Sequence, residues 1–364
     1  MKAIADAIGF NLVVISPTIA LVLTALILLF FTITIESNEK VKQVITFSGV
    51  VSTLFCVFLK FGLFLQNGVS SYFSKKILLD EFSLFGNVLI GLILLFNILP
   101  IWDSSSQLRE KTTEAIILTL MSTSGFMLMV DSENLIMLFI GLEIGSISLY
   151  ALAGLNRVDK LSNEASLKYF LLGSLASCIF IYGVSLVYVS FSVLSVYDFA
   201  TGVGFVGADS VPLTTKLGVI LTFIGLLFKI AAAPFQSWAP DVYQGSPTGY
   251  VGYMASVAKA SAFIVIARLC QVSLRFMPNE FDSFFLFVVI LSVVIGSIFA
   301  SVQDDLKRLL AYSGVVQSGF ILSGIVSGIN GTSASMFYLF AYICLLYTSP
   351  SPRDQRGSRL ACCS

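Results

Sequence analysis

The chain has 364 residues, 57% hydrophobic and 12% charged, with 21 basic and 21 acidic side chains and no histidine. A soluble domain is about half apolar and about a quarter charged, so this chain, with a mean hydropathy of +0.93, lacks the polar surface that a water-exposed globule needs. A balanced net charge gives nucleic acid no handle, and the lack of histidine removes haem and zinc imidazole ligands and any imidazole base.

A bilayer span takes roughly 20 mostly apolar residues. The first such run, 11–35, is long enough to cross by itself and has no small-residue cleavage site, so it reads as a span and not as a removable signal. Further runs follow at 43–65, 82–102, 115–132, 134–154, 167–190, 217–236, 247–270, 281–302 and 306–328, giving ten complete spans. Charge clusters mark the connections: Glu36 to Lys42, Lys75 to Glu81, Asp103 to Glu114, Asn156 to Glu164, and Gln303 to Arg308. The longest connection, Phe191 to Lys216, is rich in Gly and Val and contains Pro212. No separate soluble domain is expected. Cys56, Cys178 and Cys270 lie far apart in apolar runs without metal-ligand spacing, so no metal or cofactor is expected.

An eleventh apolar run opens near Ala334 as SMFYLFAYICLLY and changes abruptly to TSPSPRDQRGSRLACCS, too short to cross. CLLYTSPSPRD resembles one reading frame of a common transposon-end sequencing adapter. The expectation is one transmembrane domain over 1–343 and a non-native tail over 344–364, which holds Cys344, Cys362 and Cys363.

Lys and Arg in loops orient a membrane protein. With the N-terminus outside, the inward loops hold Lys40, Lys42, Arg109, Lys111, Arg157, Lys160, Lys307 and Arg308, and the outward set is Lys2, Lys75, Lys76, Lys216, Arg268 and Arg275. Eight against six favours an outside N-terminus by a small margin.

Ionisable residues inside the spans carry the chemistry. Lys229 sits in GVILTFIGLLFKIAAAPF, where a cation costs roughly 2.5–3.5 kcal/mol on insertion scales. Its plainer alternative is a lysine that only holds helices together. Pro234 follows five residues later and conflicts with the carbonyl of Ile230, so the helix should break there and leave backbone groups for protein or water to meet. After it, Trp238 and Tyr243 read as interfacial anchors. Lys259 lies among Ala255, Ser256, Ala258, Ala260 and Ser261, small residues that admit close helices and water. Glu143, in MLFIGLEIGSISLYAL, would pair with Lys229; when the partner withdraws, the desolvated lysine gives up its proton, one per cycle. Lys168, near the start of its span, reads on position alone as a snorkelling lysine. Asp304 and Asp305 suit a helix start, with Lys307 and Arg308 as a basic anchor.

FIGLEIGSISLYALAG, EASLKYFLLGSLAS, LFKIAAAPFQSWAPDVYQGSPT, SVAKASAF and LKRLLAYSGVVQSGF together resemble the antiporter-like membrane subunits of proton-pumping NADH:quinone oxidoreductase, complex I, in particular subunit N, or mitochondrial subunit 2. The resemblance covers the chain to about Ile343. It implies an all-α transmembrane bundle of about fourteen helices in two inverted repeats, with a broken seventh helix and without redox centre, NADH site or cofactor. It implies proton-translocating roles for Glu143, Lys229, Lys259 and Lys168, driven by quinone reduction elsewhere in the complex. The implied partners are the other membrane subunits, the lipid bilayer and a quinone bound elsewhere, but no nucleic acid. The implied place is a bacterial inner membrane, with the mitochondrial inner membrane as alternative. The family's ionisable residue of the twelfth helix is missing, so the polypeptide as written is expected not to pump. Gln236 and Gln317 stand where the family commonly has histidine, which removes a titrating step there. An Mrp-type cation/proton antiporter is the alternative function, against which the lysine of EASLKYF speaks.

Overall fold

The computed structural model describes residues 2–34, 39–103, 112–207, 210–274 and 278–348. Arg109, Lys111, Arg275, Cys362 and Cys363, and all of 349–364, lie outside the described residues. The chain folds as α1 (Lys2–Thr34), α2 (Glu39–Asn67), a hairpin of β1 (Ser70–Tyr72) and β2 (Ile77–Leu79), α3 (Glu81–Asp103), α4 (Thr112–Asp131), α5 (Leu135–Ala153) and α6 (Lys160–Phe191). Then come α7 (Val196–Val206), α8 (Leu213–Lys229), α9 (Trp238–Gly245), α10 (Thr248–Val272), α11 (Pro278–Ser301), α12 (Leu306–Val326) and α13 (Ile329–Thr348).

Among the described residues, ten helices are long and apolar enough to cross a bilayer. In hydrocarbon a helix is the one open-ended element that satisfies its own backbone, which is why apolar runs of this length become helices whatever their propensity. The all-α polytopic bundle is as expected. Nine of the spans read from the sequence match helices of this length, α1 to α6 and α10 to α12; the run 217–236 falls on α8, which is 17 residues long, and on the break after it.

Three features differ from the expectation. The long connection after α6 holds α7, started by Ser195, whose hydroxyl accepts from the Asp198 N–H. The Lys75 region forms an antiparallel hairpin pairing Ser70 with Leu79, turned by Phe73, Ser74 and Lys75 in the left-handed region. The final helix starts at Ile329 and supplies a 19-residue apolar stretch, long enough to cross. Its start was hidden by Asn330, Gly331, Thr332 and Ser333, polar or small residues of which Thr332 is buried. Thr332 Oγ1 donates to Ile325 O and accepts from Gln271 Nε2.

The core centres on α10. Its apolar window is 94% buried, against 22% for α11. α10 packs on α3, α4, α5, α8, α12 and α13, so a side chain on α10 faces protein on every side. α4 and α5 meet closely because glycines interleave: a Cβ on Gly141 would sit 2.8 Å from the Gly125 carbonyl oxygen, and Gly125 likewise faces Gly141 and Gly145 backbone. Without side chains there, helix backbones approach and dispersion contacts replace lipid contacts. That approach brings α5 and its polar face into the interior.

Candidate functional site

Glu143, Ser146 and Tyr150 recur at i, i+3 and i+7 along α5, one face of a helix. Ser146 is held by donating to Leu142 O at 2.6 Å. Opposite this face, α8 ends on Lys229, which is 3% exposed. Its Nζ donates to Ser146 Oγ at 2.9 Å and to Tyr150 Oη at 2.9 Å, and lies 5.4 Å from the centre of the Tyr150 ring. The expected Glu143–Lys229 ion pair is therefore not made directly. Glu143, half-buried, instead accepts from Ser177 Oγ on α6. Ser146, one turn on, stands between the two charges, so the lysine is solvated by neutral hydroxyls with the carboxylate one helical turn away.

The break after Lys229 follows from sequence. Ala231 takes a left-handed φ of 55°, and the Ala233–Pro234 peptide is cis. Three backbone groups at the break find side-chain partners, as apolar depth favours. Phe228 O accepts from Trp238 Nε1 at 3.0 Å, Ala233 N–H donates to Ser292 Oγ at 2.9 Å, and Ile230 O lies 2.8 Å from Ser318 Oγ. Pro234 acts as expected, and the carbonyl it displaces is the one Ser318 meets. Ser318→Ala is expected to cost about 1–3 kcal/mol by stranding that carbonyl. Thermal unfolding in detergent reads this; an unchanged midpoint would show that Ile230 O does not depend on the hydroxyl.

Lys259, 2% exposed on α10, donates its Nζ to Gly314 O on α12 at 2.8 Å and lies 5.9 Å from the centre of the Tyr342 ring. Gly314 makes room: a Cβ there would be 2.6 Å from the ammonium. Ser318 Oγ is also 2.8 Å from Gly314 O. A hydroxyl has one hydrogen, so Ser318 serves either the carbonyl at the break or the carbonyl that holds Lys259. The residue after Lys229 and the ligand of Lys259 thus share one rotor. Among the described residues, no carboxylate is within ion-pair distance of Lys229 or Lys259.

Lys168 is elsewhere. It is 42% exposed, pairs with Glu164 and Asp241 at 2.8 Å each, and lines a small cavity of about 70 Å³ with Asp241 and Gln244. Asp241 Oδ1 also takes Arg308 Nη1 at 2.6 Å. Burial pushes the Asp241 carboxyl up, but hydrogen bonds from Lys168 and Arg308 outweigh it and hold the group below the usual carboxylate range. Lys307 Nζ donates to Ser246 O, and Asp305 caps α12 through the Lys307 and Arg308 N–H groups, as read from the sequence. This charged cluster lies where α6 and α12 begin, and it is not joined to Lys229 by any direct side-chain contact.

Two expectations need correcting. Trp238 and Tyr243 are each 3% exposed, so they are core residues, not interfacial anchors. The Trp238 ring stacks on Tyr169 at 4.7 Å, and Tyr169 meets Tyr150 edge-on at 4.7 Å, which braces the hydroxyl that holds Lys229. Arg268, assigned to an outward loop, is 1% exposed within α10. It forks onto Asp80 through Nε at 2.9 Å and Nη2 at 2.6 Å, with Nη1 on Val130 O at 2.6 Å. Gln317 accepts from Tyr338 Oη, while the Gln236 Oε1 is buried without a partner among the described residues.

Sequence reasoning passed over Lys60 and Asp131, an ion pair of 2.6 Å with both side chains buried. The rule that singled out Lys229, a cation inside an apolar run, applied equally to Lys60. Glu133, 2% exposed, was also missed; it accepts from Ser71 Oγ and Ser195 Oγ and stitches the hairpin to α7.

A many-helix bundle with buried lysines beside a broken helix defines a polytopic membrane protein with ionisable groups in its interior. Residues 132–348 match the family described as NADH:quinone oxidoreductase/Mrp antiporter, TM, and the chain belongs to that family. It is 35% identical over 336 residues to NADH-quinone oxidoreductase subunit N of Trichlorobacter lovleyi, covering 91% of this chain and 67% of that protein. It is 37% identical over 276 residues to NADH-quinone oxidoreductase subunit N 1 of Solibacter usitatus, covering 74% of this chain but 55% of that protein. Among solved structures, it superposes with a TM-score of 0.74 and 29% identity on a chain of respiratory complex I from Thermus thermophilus with bound aureothin, over 91% of this chain and 68% of that one. The chain thus spans between about half and two thirds of the length of these relatives.

Proposed function

We propose that the chain is the subunit N type of membrane component of an NADH:quinone oxidoreductase and relays protons through its interior, driven by quinone reduction elsewhere in the assembly. Its partners are the other membrane subunits and the bilayer, and its place is a bacterial inner membrane. No redox step falls to this chain.

The observation that carries the reading is Lys229: a buried lysine at the end of a broken helix, held by two neutral hydroxyls. A fixed ion pair at membrane depth has one stable state. A lysine among hydroxyls, with a carboxylate one turn away, has two arrangements of comparable cost, with Glu143 closer or withdrawn. Glu143 loads the lysine, the lysine passes its proton inward along α10 to Lys259, and the shared Ser318 hydroxyl links the two stations. Lys168, at the rim with Asp241 and Glu164, is a further proton-transferring group of the same subunit, a role supported by the resemblance of its EASLKYFLLGSLAS segment. Relatives carrying the subunit N name support the oxidoreductase reading over a stand-alone antiporter.

In membranes that hold the assembled oxidoreductase, Lys229→Ala and Glu143→Ala are each expected to slow coupled quinone reduction about tenfold or more, equivalent to about 1.4 kcal/mol of barrier, with assembly intact on native gels. Wild-type rates in both variants would overturn the assigned roles.

A further inference from the structure

Lys60 and Asp131 have no part in the relay proposed above. Lys60 lies in the last third of α2 and Asp131 ends α4. They are 0% and 2% exposed, with Nζ and Oδ1 2.6 Å apart. Asn87 of α3 donates its Nδ2 to the same oxygen at 2.6 Å and to Ser83 O at 2.7 Å. The charges that bear on the pair are Asp80 and Arg268, and those two satisfy each other through a two-pronged contact. Among its described side chains, α1 brings no charged group. Among the described residues, Lys60 and Asp131 are therefore each other's only direct charge partners.

A mere clamp between α2 and α4 has a cheaper solution. Replacing a buried ion pair by packed apolar side chains is commonly neutral or stabilising, and these helices are already apolar. A second observation points to exchange with water: Asn87 Oδ1 is buried without a hydrogen-bond partner, and a buried unsatisfied acceptor beside polar groups marks a place for water.

We propose that Lys60 and Asp131 form a second proton-exchanging site of this subunit, set at the end of the bundle where α4 and α10 finish. The proposal rests on the proton-relay reading of the chain. A proton reaching Asp131 forms an O–H bond and turns the carboxylate neutral, which leaves Lys60 as an unbalanced buried ammonium. Lys60 then breaks an N–H bond and releases one proton to water, keeping the electron pair as a neutral amine. The Asp131 proton shifts to that amine and restores the ion pair. One proton enters, one leaves, and no oxidant or reductant is needed.

Arginine keeps the positive charge but does not release it, so it separates the two roles. In vesicles that hold the assembled oxidoreductase, proton movement is followed with a pH-sensitive dye for wild type, Lys60→Arg, Asp131→Glu and, in parallel, Lys229→Ala. Lys60→Arg is expected to move protons about tenfold more slowly or worse, with Asp131→Glu near wild type. A wild-type rate in Lys60→Arg overturns the proposal. Should Lys60→Arg fail to assemble, Asp131→Asn decides, because it keeps size and hydrogen bonding but takes up no proton: slow transfer supports the site, a wild-type rate overturns it. Lys229→Ala reports on the relay reading separately. If it alone stops proton movement, the relay stands and the second site falls; if it moves protons normally, the relay itself fails.

Discussion

Replacing Arg268 by leucine is expected to lower stability by about 3–5 kcal/mol, because removing one member of a buried ion pair leaves the other without compensation. The stranded group is Asp80, 4% exposed, whose two oxygens take the guanidinium fork. Val130 O and Ser132 O lose donors at the same time. The effect should therefore exceed that of deleting an exposed pair such as Lys75 with Asp198, where solvent screens the charges. Thermal unfolding in detergent micelles measures it. The double variant Arg268→Leu, Asp80→Leu should recover most of the loss. A single variant as stable as wild type would mean that the fork holds nothing together.

Lys259→Met is expected to do the opposite. The lysine has a carbonyl and an aromatic ring as neighbours, so its charge is a cost to the fold, and an unbranched apolar side chain of similar length fills the same space. Stability should stay level or rise, while coupled proton transfer falls by about tenfold or more. The same vesicle and unfolding measurements read both. A destabilised protein that transfers protons normally would reverse the assignment, making Lys259 a structural residue.

The contrast between these two residues explains how far the sequence was legible. Both lie in α10, and both are cations in an apolar helix. Lys259 was singled out because small residues flank it at mid-span. Arg268, near the end of the same run, looked like a loop charge, because its partner Asp80 stands 188 positions away and contact at that distance leaves no local pattern. Hydrophobic run length was enough for the spans, since a bilayer demands it of every crossing helix. It was blind to α7 and to the hairpin, whose short elements are fixed by Glu133 and its serine partners. The site was half legible. Pro234 announced the break, whereas the hydroxyl cage of Lys229 needed α5 and α8 brought together. Trp238 and Tyr243 misled because amphipathic rings serve equally well at an interface and in a core with a polar partner.

Direct proton movement by the Lys229→Ala variant tests the central claim. Sealed vesicles that hold equal amounts of assembled wild-type or variant oxidoreductase are supplied with NADH and quinone, and interior pH is followed with a trapped dye. The relay through Lys229 predicts that the variant acidifies its vesicles about tenfold more slowly or worse and that its quinone reduction slows with it. Acidification at the wild-type rate, from a variant present at the wild-type level, would contradict it.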